Sequence, residues 1–185
     1  MKYIFDPDRL HAISKKGTDG KDLESSFNAI LDELENCYPG KINREIRWLE
    51  NIAGQALGKL AFLYATLSEY VIFFGTPFHV SSSHSGRYGA DVWDFVFKGK
   101  MDCMPEGSIK WDTYGPGEGA HLERGMIKYY RTIDDTWMLE YGRGSIIGML
   151  RFGVFGHMSI TKDWTLTLKQ IKAYGRLVLK NFFHK

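Results

Sequence analysis

A chain of 185 residues with 44% hydrophobic and 25% charged side chains has the size and composition of one folded domain, which excludes a disordered chain and allows a substantial core. A net charge of +2 at pH 7, with no long run of Lys or Arg, excludes a surface that tracks phosphates and sets nucleic acid aside as a partner. The 15% aromatic content is high and suits a packed β-rich body or a large apolar cavity.

In chain order, Met1 to Pro7 reaches charge and proline too early for a signal segment or for the ~20 apolar residues of a membrane span, so any membrane contact is expected to be peripheral. After a turn-like stretch from Gly17 to Gly20, Leu23, Phe27, Ile30, Leu31 and Leu34 recur at helical spacing and stop before Pro39-Gly40. This predicts an amphipathic helix over Lys21–Cys37. From Ile46 to Phe74 the sequence is almost continuously apolar, broken by Gly54, Gly58 and Leu67-Ser68-Glu69-Tyr70, and fits buried strands, with the Ala and Leu content leaving a helix as the alternative. Thr76–Gly89 is rich in Ser, Gly and His and predicts a loop. Strands are predicted at Ala90–Phe97, Ser108–Thr113, Gly125–Thr132 and Thr136–Tyr141, with turns at Gly115-Pro116-Gly117 and Asp134-Asp135, in a mostly antiparallel body.

The last of these strands carries the residue most in need of explanation. Alternation along a strand puts Met138, Glu140 and Gly142 on one side and Trp137, Leu139 and Tyr141 on the other. A carboxylate among such large apolar groups either faces water or is buried, and a buried one gains a partner or holds its proton. Protonated, it is a proton donor; ionised, it binds a cation. The structural alternative is an ion pair with a nearby Arg such as Arg143.

Two further helices are predicted at Ile146–Met158 and Asp163–Phe183, the second with Thr161 as N-cap. In it Trp164, Leu168, Ile171, Val178 and Phe182 recur near helical spacing, while Lys169, Lys172, Arg176 and Lys180 gather on another face. Such a helix covers the mouth of a barrel or lies in a bilayer interface with its basic groups reaching for headgroups. The sequence therefore reads as one α+β domain with a helical region over 1–45, a β-barrel over 46–144 and C-terminal helices over 145–185. Cys37 and Cys103 form no CxxC and are expected to be free thiols, and the histidines show no HxH or HExxH spacing, so neither a metal nor any other cofactor is predicted.

Leu67-Ser68-Glu69-Tyr70 through Phe74-Gly75-Thr76, His84-Ser85-Gly86-Arg87-Tyr88, Gly115-Pro116-Gly117-Glu118 and Trp137 through Gly144 together resemble the fungal C-8 sterol isomerase and sigma non-opioid receptor family, over Tyr3 to Phe183. The resemblance implies a cupin-like β-barrel around an apolar pocket, closed by two C-terminal helices that rest on a membrane, and a homotrimer. It also implies an N-terminal transmembrane anchor, for which this sequence has no apolar run. The location implied is membrane-associated, in the cytoplasm of a bacterium or at the endoplasmic reticulum of a eukaryote. His121-Leu122-Glu123-Arg124-Gly125 followed by Lys128-Tyr129-Tyr130 is similar to the isomerases, whereas Asp94 and Tyr141-Gly142-Arg143-Gly144 look like the receptor; both branches carry an acid matching Asp91.

For an isomerase moving a ring double bond from C8–C9 to C7–C8, the resemblance makes Glu140 the acid, with Asp94 or Asp91 sharing a proton with it and His121 relaying or receiving the second proton. Tyr70 would orient a carboxylate, and Phe74, Tyr88, Trp137, Leu150, Phe152 and Tyr174 match pocket positions. The alternative is a binding protein in which the carboxylates hold the ammonium of a lipophilic amine. The expected partner in both cases is a hydrophobic small molecule. Arg87, with His84, is expected to hold its loop through hydrogen bonds to carbonyl groups.

Overall fold

A computed structural model of the protein describes residues 3–183, without the side chains of residue 53 and residues 150–157. The chain opens with α1 (Pro7–Ser14), a single 3-10 turn (Lys15–Gly17) and α2 (Leu23–Cys37). Eight strands follow: β1 (Leu49–Ala53), β2 (Ala56–Ala65), β3 (Glu69–Thr76), β4 (Val80–His84), β5 (Ala90–Pro105), β6 (Asp112–Tyr114), β7 (Gly119–Leu122) and β8 (Lys128–Gly144). Two helices, α3 (Ile146–Thr161) and α4 (Trp164–Phe183), end the chain.

Local chemistry starts each N-terminal helix. Asp6 caps α1 by accepting the Arg9 N–H at 2.9 Å, and Pro7 occupies a first-turn position where its missing N–H costs nothing. This helix was not predicted, because Asp6-Pro7 reads equally well as a break. Asp22 and Ser25 close a capping box at the start of α2, which matches the predicted helix to within two residues.

All strand pairings are antiparallel, in the order β1-β2-β3-β8-β5-β6, with β4 added to β8 and β7 to β5. β8 is the spine: its first half pairs with β4, its second half with β3, and most of its length with β5. The sheet rolls up into a barrel, giving the α+β architecture expected. Beyond the ladder, His84 N–H donates to Gly54 O at 3.0 Å, where a Cβ would lie 1.7 Å from His84 O, so only glycine permits this approach.

Both faces of the sheet are covered, so β3 is buried at every position. On the outer face Val71, Phe73, Leu139 and Tyr141 pack with Leu10, Ile30 and Leu34 of α1 and α2. On the inner face Leu60, Ile72, Phe74, Val96 and Met138 form a second core, with Tyr174 and Leu177 of α4. Each such buried side chain contributes on the order of 1.5–3 kcal/mol. Glu69 pins the N-terminal segment to this frame by accepting from the N–H groups of Ile4 (2.9 Å) and Phe5 (3.4 Å) and from the Tyr141 hydroxyl (3.1 Å).

Four expectations are corrected. The predicted loop Thr76–Gly89 contains β4, whose exposed Ser81 and Ser82 conceal a half-buried edge strand. The predicted strand Ser108–Thr113 shrinks to β6, with Ser108 bent around its own side-chain bond to the Lys110 N–H. Asp134-Asp135 is not a turn between strands but an irregularity within one strand, where Asp134 takes φ 59° and the pairing with β5 slips between Lys98 and Lys100. The cap of α4 is Asp163, which accepts the Leu166 N–H at 3.0 Å, while Thr161 ends α3.

Candidate functional site

The barrel interior holds a cavity of about 540 Å³, within the usual range for small-molecule sites. Its wall is apolar apart from a few groups that strand alternation aims inward. On β3, Tyr70, Ile72 and Phe74 face in; on β8, Met138 and Glu140; on β5, Val92 and Asp94. Tyr88 closes one side and α4 supplies Tyr174, whose hydroxyl donates to Thr66 O.

Glu140 stands opposite Ile72 on one neighbouring strand and opposite Asp94 on the other. The Tyr70 hydroxyl donates to its Oε1 at 2.6 Å. Burial raises its pKa to about 8, the Asp94 charge adds to the rise, and the Tyr70 hydrogen bond and the Lys128 charge pull it part of the way back. Burial thus favours the protonated form of this carboxyl, with Oε1 engaged by Tyr70. The same surroundings hold the Tyr70 hydroxyl far above its ordinary pKa, burial first and the Glu140 charge next, so it stays a donor.

Asp94 faces Glu140 across the β5–β8 ladder and has a second partner of opposite charge. It forms a buried ion pair with the Lys128 ammonium, with Oδ2 facing Nζ. Burial alone would lower the pKa of Lys128, but the Asp94 charge and hydrogen bond, with Cys103 and Glu140 nearby, together outweigh it and hold the ammonium above the ordinary lysine value. The lysine backbone is fixed from both sides, since its N–H donates to Ser85 Oγ at 2.9 Å and its carbonyl accepts the Ser85 N–H at 3.0 Å. Lys128 belongs to the motif that resembles the isomerases, and its role follows from the structure. The signal was there: a lysine two residues before an inward-facing tyrosine points into the barrel.

Of the other expected site residues, Tyr70, Phe74, Tyr88 and Tyr174 line the cavity. Trp137 lies across the sheet from it, packed edge-on against Phe27 and Trp48, because it alternates with Glu140. Asp91 and His121 are also outside: His121 stacks on Trp93 with centroids 4.3 Å apart and its Nε2 lies 3.5 Å from Asp91, which also faces Arg124 at 3.5 Å. Odd-numbered β5 residues near Asp94 point outward, which separates both residues from the cavity. The Leu150 and Phe152 side chains lie outside the described residues. Arg143 lies over the Trp93 ring at 4.7 Å and is no partner for Glu140. Arg87 does clamp its loop, donating to Gly125 O and pairing with Glu106 at 2.6 Å.

The whole chain, residues 1–185, matches the family model described as ERG2 and Sigma1 receptor like protein. It is 34% identical to the sigma non-opioid intracellular receptor 1 of Xenopus tropicalis, over 96% of this chain and 80% of that one. To the protein erg2 homolog of Dictyostelium discoideum it is 37% identical, over 93% and 73%. To the C-8 sterol isomerase erg2 of Aspergillus fumigatus it is 32% identical, over 99% and 77%. Solved structures to which it is similar at low identity include KdgF from Halomonas sp., with a TM-score of 0.47 and 13% identity over 56% of this chain and 90% of that one. The barrel with its inward carboxyl and the match along the entire length agree: the chain belongs to the family of ERG2 and sigma-1 receptor like proteins.

Proposed function

We propose that the protein is a sterol isomerase that moves a ring double bond from C8–C9 to C7–C8 in a sterol or a related polycyclic lipid. The observation that carries this reading is a carboxyl whose pKa is pushed up to about 8 by burial, standing in an apolar cavity. Glu140 gives its proton to C9, the π electrons form the new C–H bond, and C8 becomes a tertiary cation facing the carboxylate just formed. Loss of the C7 proton to that carboxylate places the new double bond at C7–C8 and restores the acid, so no proton is gained or lost overall. Asp94 is tied to Lys128, which leaves Glu140 as the base for the second step. Tyr70 donates to the carboxylate and stabilises it as it forms. Asp91 and His121, outside the cavity, take no part in these proton transfers.

We also propose that α4 rests on a lipid surface from which the substrate is drawn. Trp164, Leu168, Ile171, Leu179 and Phe182 of this helix are exposed, and basic side chains flank them. Among the described residues no helix is long and apolar enough to cross a membrane.

Incubation with a C8–C9 unsaturated sterol in detergent or lipid, followed by mass spectrometry with chromatographic separation of the isomers, tests the reaction. The expected result is conversion by the wild type and loss of conversion in Glu140→Gln with the fold retained. Absence of turnover together with tight binding of a lipophilic tertiary amine would overturn it in favour of a binding protein.

A further inference from the structure

One polar side chain of the cavity wall is unaccounted for by the proposed chemistry. Asn51 on β1 is only 8% exposed and lines the cavity, and no hydrogen bond or ion pair engages its side chain among the described residues. Buried amides are almost always paired, and an unpaired one in a mostly apolar wall is unfavourable unless a ligand completes it. A second amide stands beside it. Gln170 of α4, 7% exposed and also lining the cavity, donates from Nε2 to Glu50 O at 2.7 Å, next to Asn51 along the chain. That bond fixes the Gln170 amide and leaves its Oε1 as an acceptor without a partner among the described residues.

This pair is separate from the carboxyl, because β1 stands three strands from β8 in the sheet order. The cavity is therefore polar at two separate places: Glu140 with its partners, and the Asn51–Gln170 amides. A hydroxyl is both donor and acceptor and matches an amide that offers both an N–H and a carbonyl. A rigid polycycle whose reacting double bond and single hydroxyl lie on different rings would meet both places at once.

We propose that Asn51, assisted by Gln170, is a specificity-determining anchor that takes the ring hydroxyl of a hydroxylated polycyclic lipid. The assignment rests on the sterol reading of the cavity and adds to it the part of the substrate that is recognised. Sites built to bond a hydroxyl reject the analogue that lacks it, because the buried polar groups are then left unpaired.

The test compares a C8–C9 unsaturated 3-hydroxysterol with its 3-deoxy counterpart, by turnover and by displacement of a bound hydroxyl-free tertiary amine. Wild-type protein is expected to favour the hydroxylated sterol by about 10- to 100-fold in affinity, and Asn51→Leu to bring the ratio of the two sterols' affinities close to one. The variant replaces an unpaired amide by an apolar group of similar size, so its melting temperature is expected to hold or rise. A wild-type preference near one overturns the proposal without any variant. So does an Asn51→Leu protein that weakens both sterols equally. Displacement needs no turnover, so a protein that binds both sterols and isomerises neither refutes the isomerase while still deciding the hydroxyl anchor.

Discussion

At the residue scale the site depends on one proton. Glu140 acts as an acid only while protonated, so turnover is expected to be flat below about pH 8 and to fall roughly tenfold per unit above it, measured as kcat/KM against pH. Glu140→Gln is expected to lower turnover by at least ~10²–10⁴-fold, the usual contribution of a general acid, with unchanged circular dichroism. Amine binding runs the other way. An ammonium prefers the carboxylate, so its affinity is expected to rise with pH until Glu140 is fully ionised, as long as the amine itself stays protonated. Lys128 makes a different prediction, about stability. Lys128→Met strands the buried Asp94 and is expected to cost ~3–5 kcal/mol in urea denaturation, whereas Lys128→Met with Asp94→Asn recovers most of the loss.

Whole elements set the geometry that these residues use. The β3–β8 register places Gly142 opposite Tyr70 and Ile72 opposite Glu140, so the tyrosine reaches the carboxyl diagonally across the pair. Gly142 makes room for that reach: a Cβ there would lie 2.3 Å from the Tyr70 ring. Gly142→Ala is expected to displace the ring and break its hydrogen bond to Glu140. Because that bond holds the Glu140 pKa down, both Gly142→Ala and Tyr70→Phe are expected to move the alkaline limb of the rate profile to higher pH, with a smaller loss of rate than Glu140→Gln. α4 is tied to the barrel by three side chains that bond strand or turn carbonyls: Gln170 to Glu50 O, Tyr174 to Thr66 O and Asn181 to Ala65 O. Much of the element plan was legible beforehand. α2, the strand-rich stretch from Ile46 and the two C-terminal helices follow from apolar period and caps. The misreadings at β4 and at Asp134 share a cause: edge strands and strand irregularities use the Ser, Gly and Asp residues that also mark loops.

For the whole molecule, the raised Glu140 pKa also sets a pH dependence of stability. The folded state holds a proton that the unfolded chain, with an ordinary value of 4.5, releases earlier. The contribution is therefore complete below pH 4.5 and is lost as pH rises through about 8, with a slope of up to ~1.4 kcal/mol per pH unit between those values. Glu140→Gln is expected to flatten this slope in denaturation curves taken across the same window.

The sequence by itself determined that this chain builds an α+β fold, that the strand from Thr136 to Tyr141 sets Glu140 on the face opposite Trp137, and which family its motifs resemble, because side-chain period and local caps act over a few residues. Tertiary structure alone decided the partners. Asp94 and Lys128 lie 34 positions apart in the chain, and Tyr70 and Glu140 70 apart, and only the strand order brings each pair into contact. The same strand geometry turns Asp91 and His121 outward, although the resemblance made both of them candidates for proton transfer. Charge pairing and burial depend on which strands become neighbours, and long-range pairing leaves no mark in local composition.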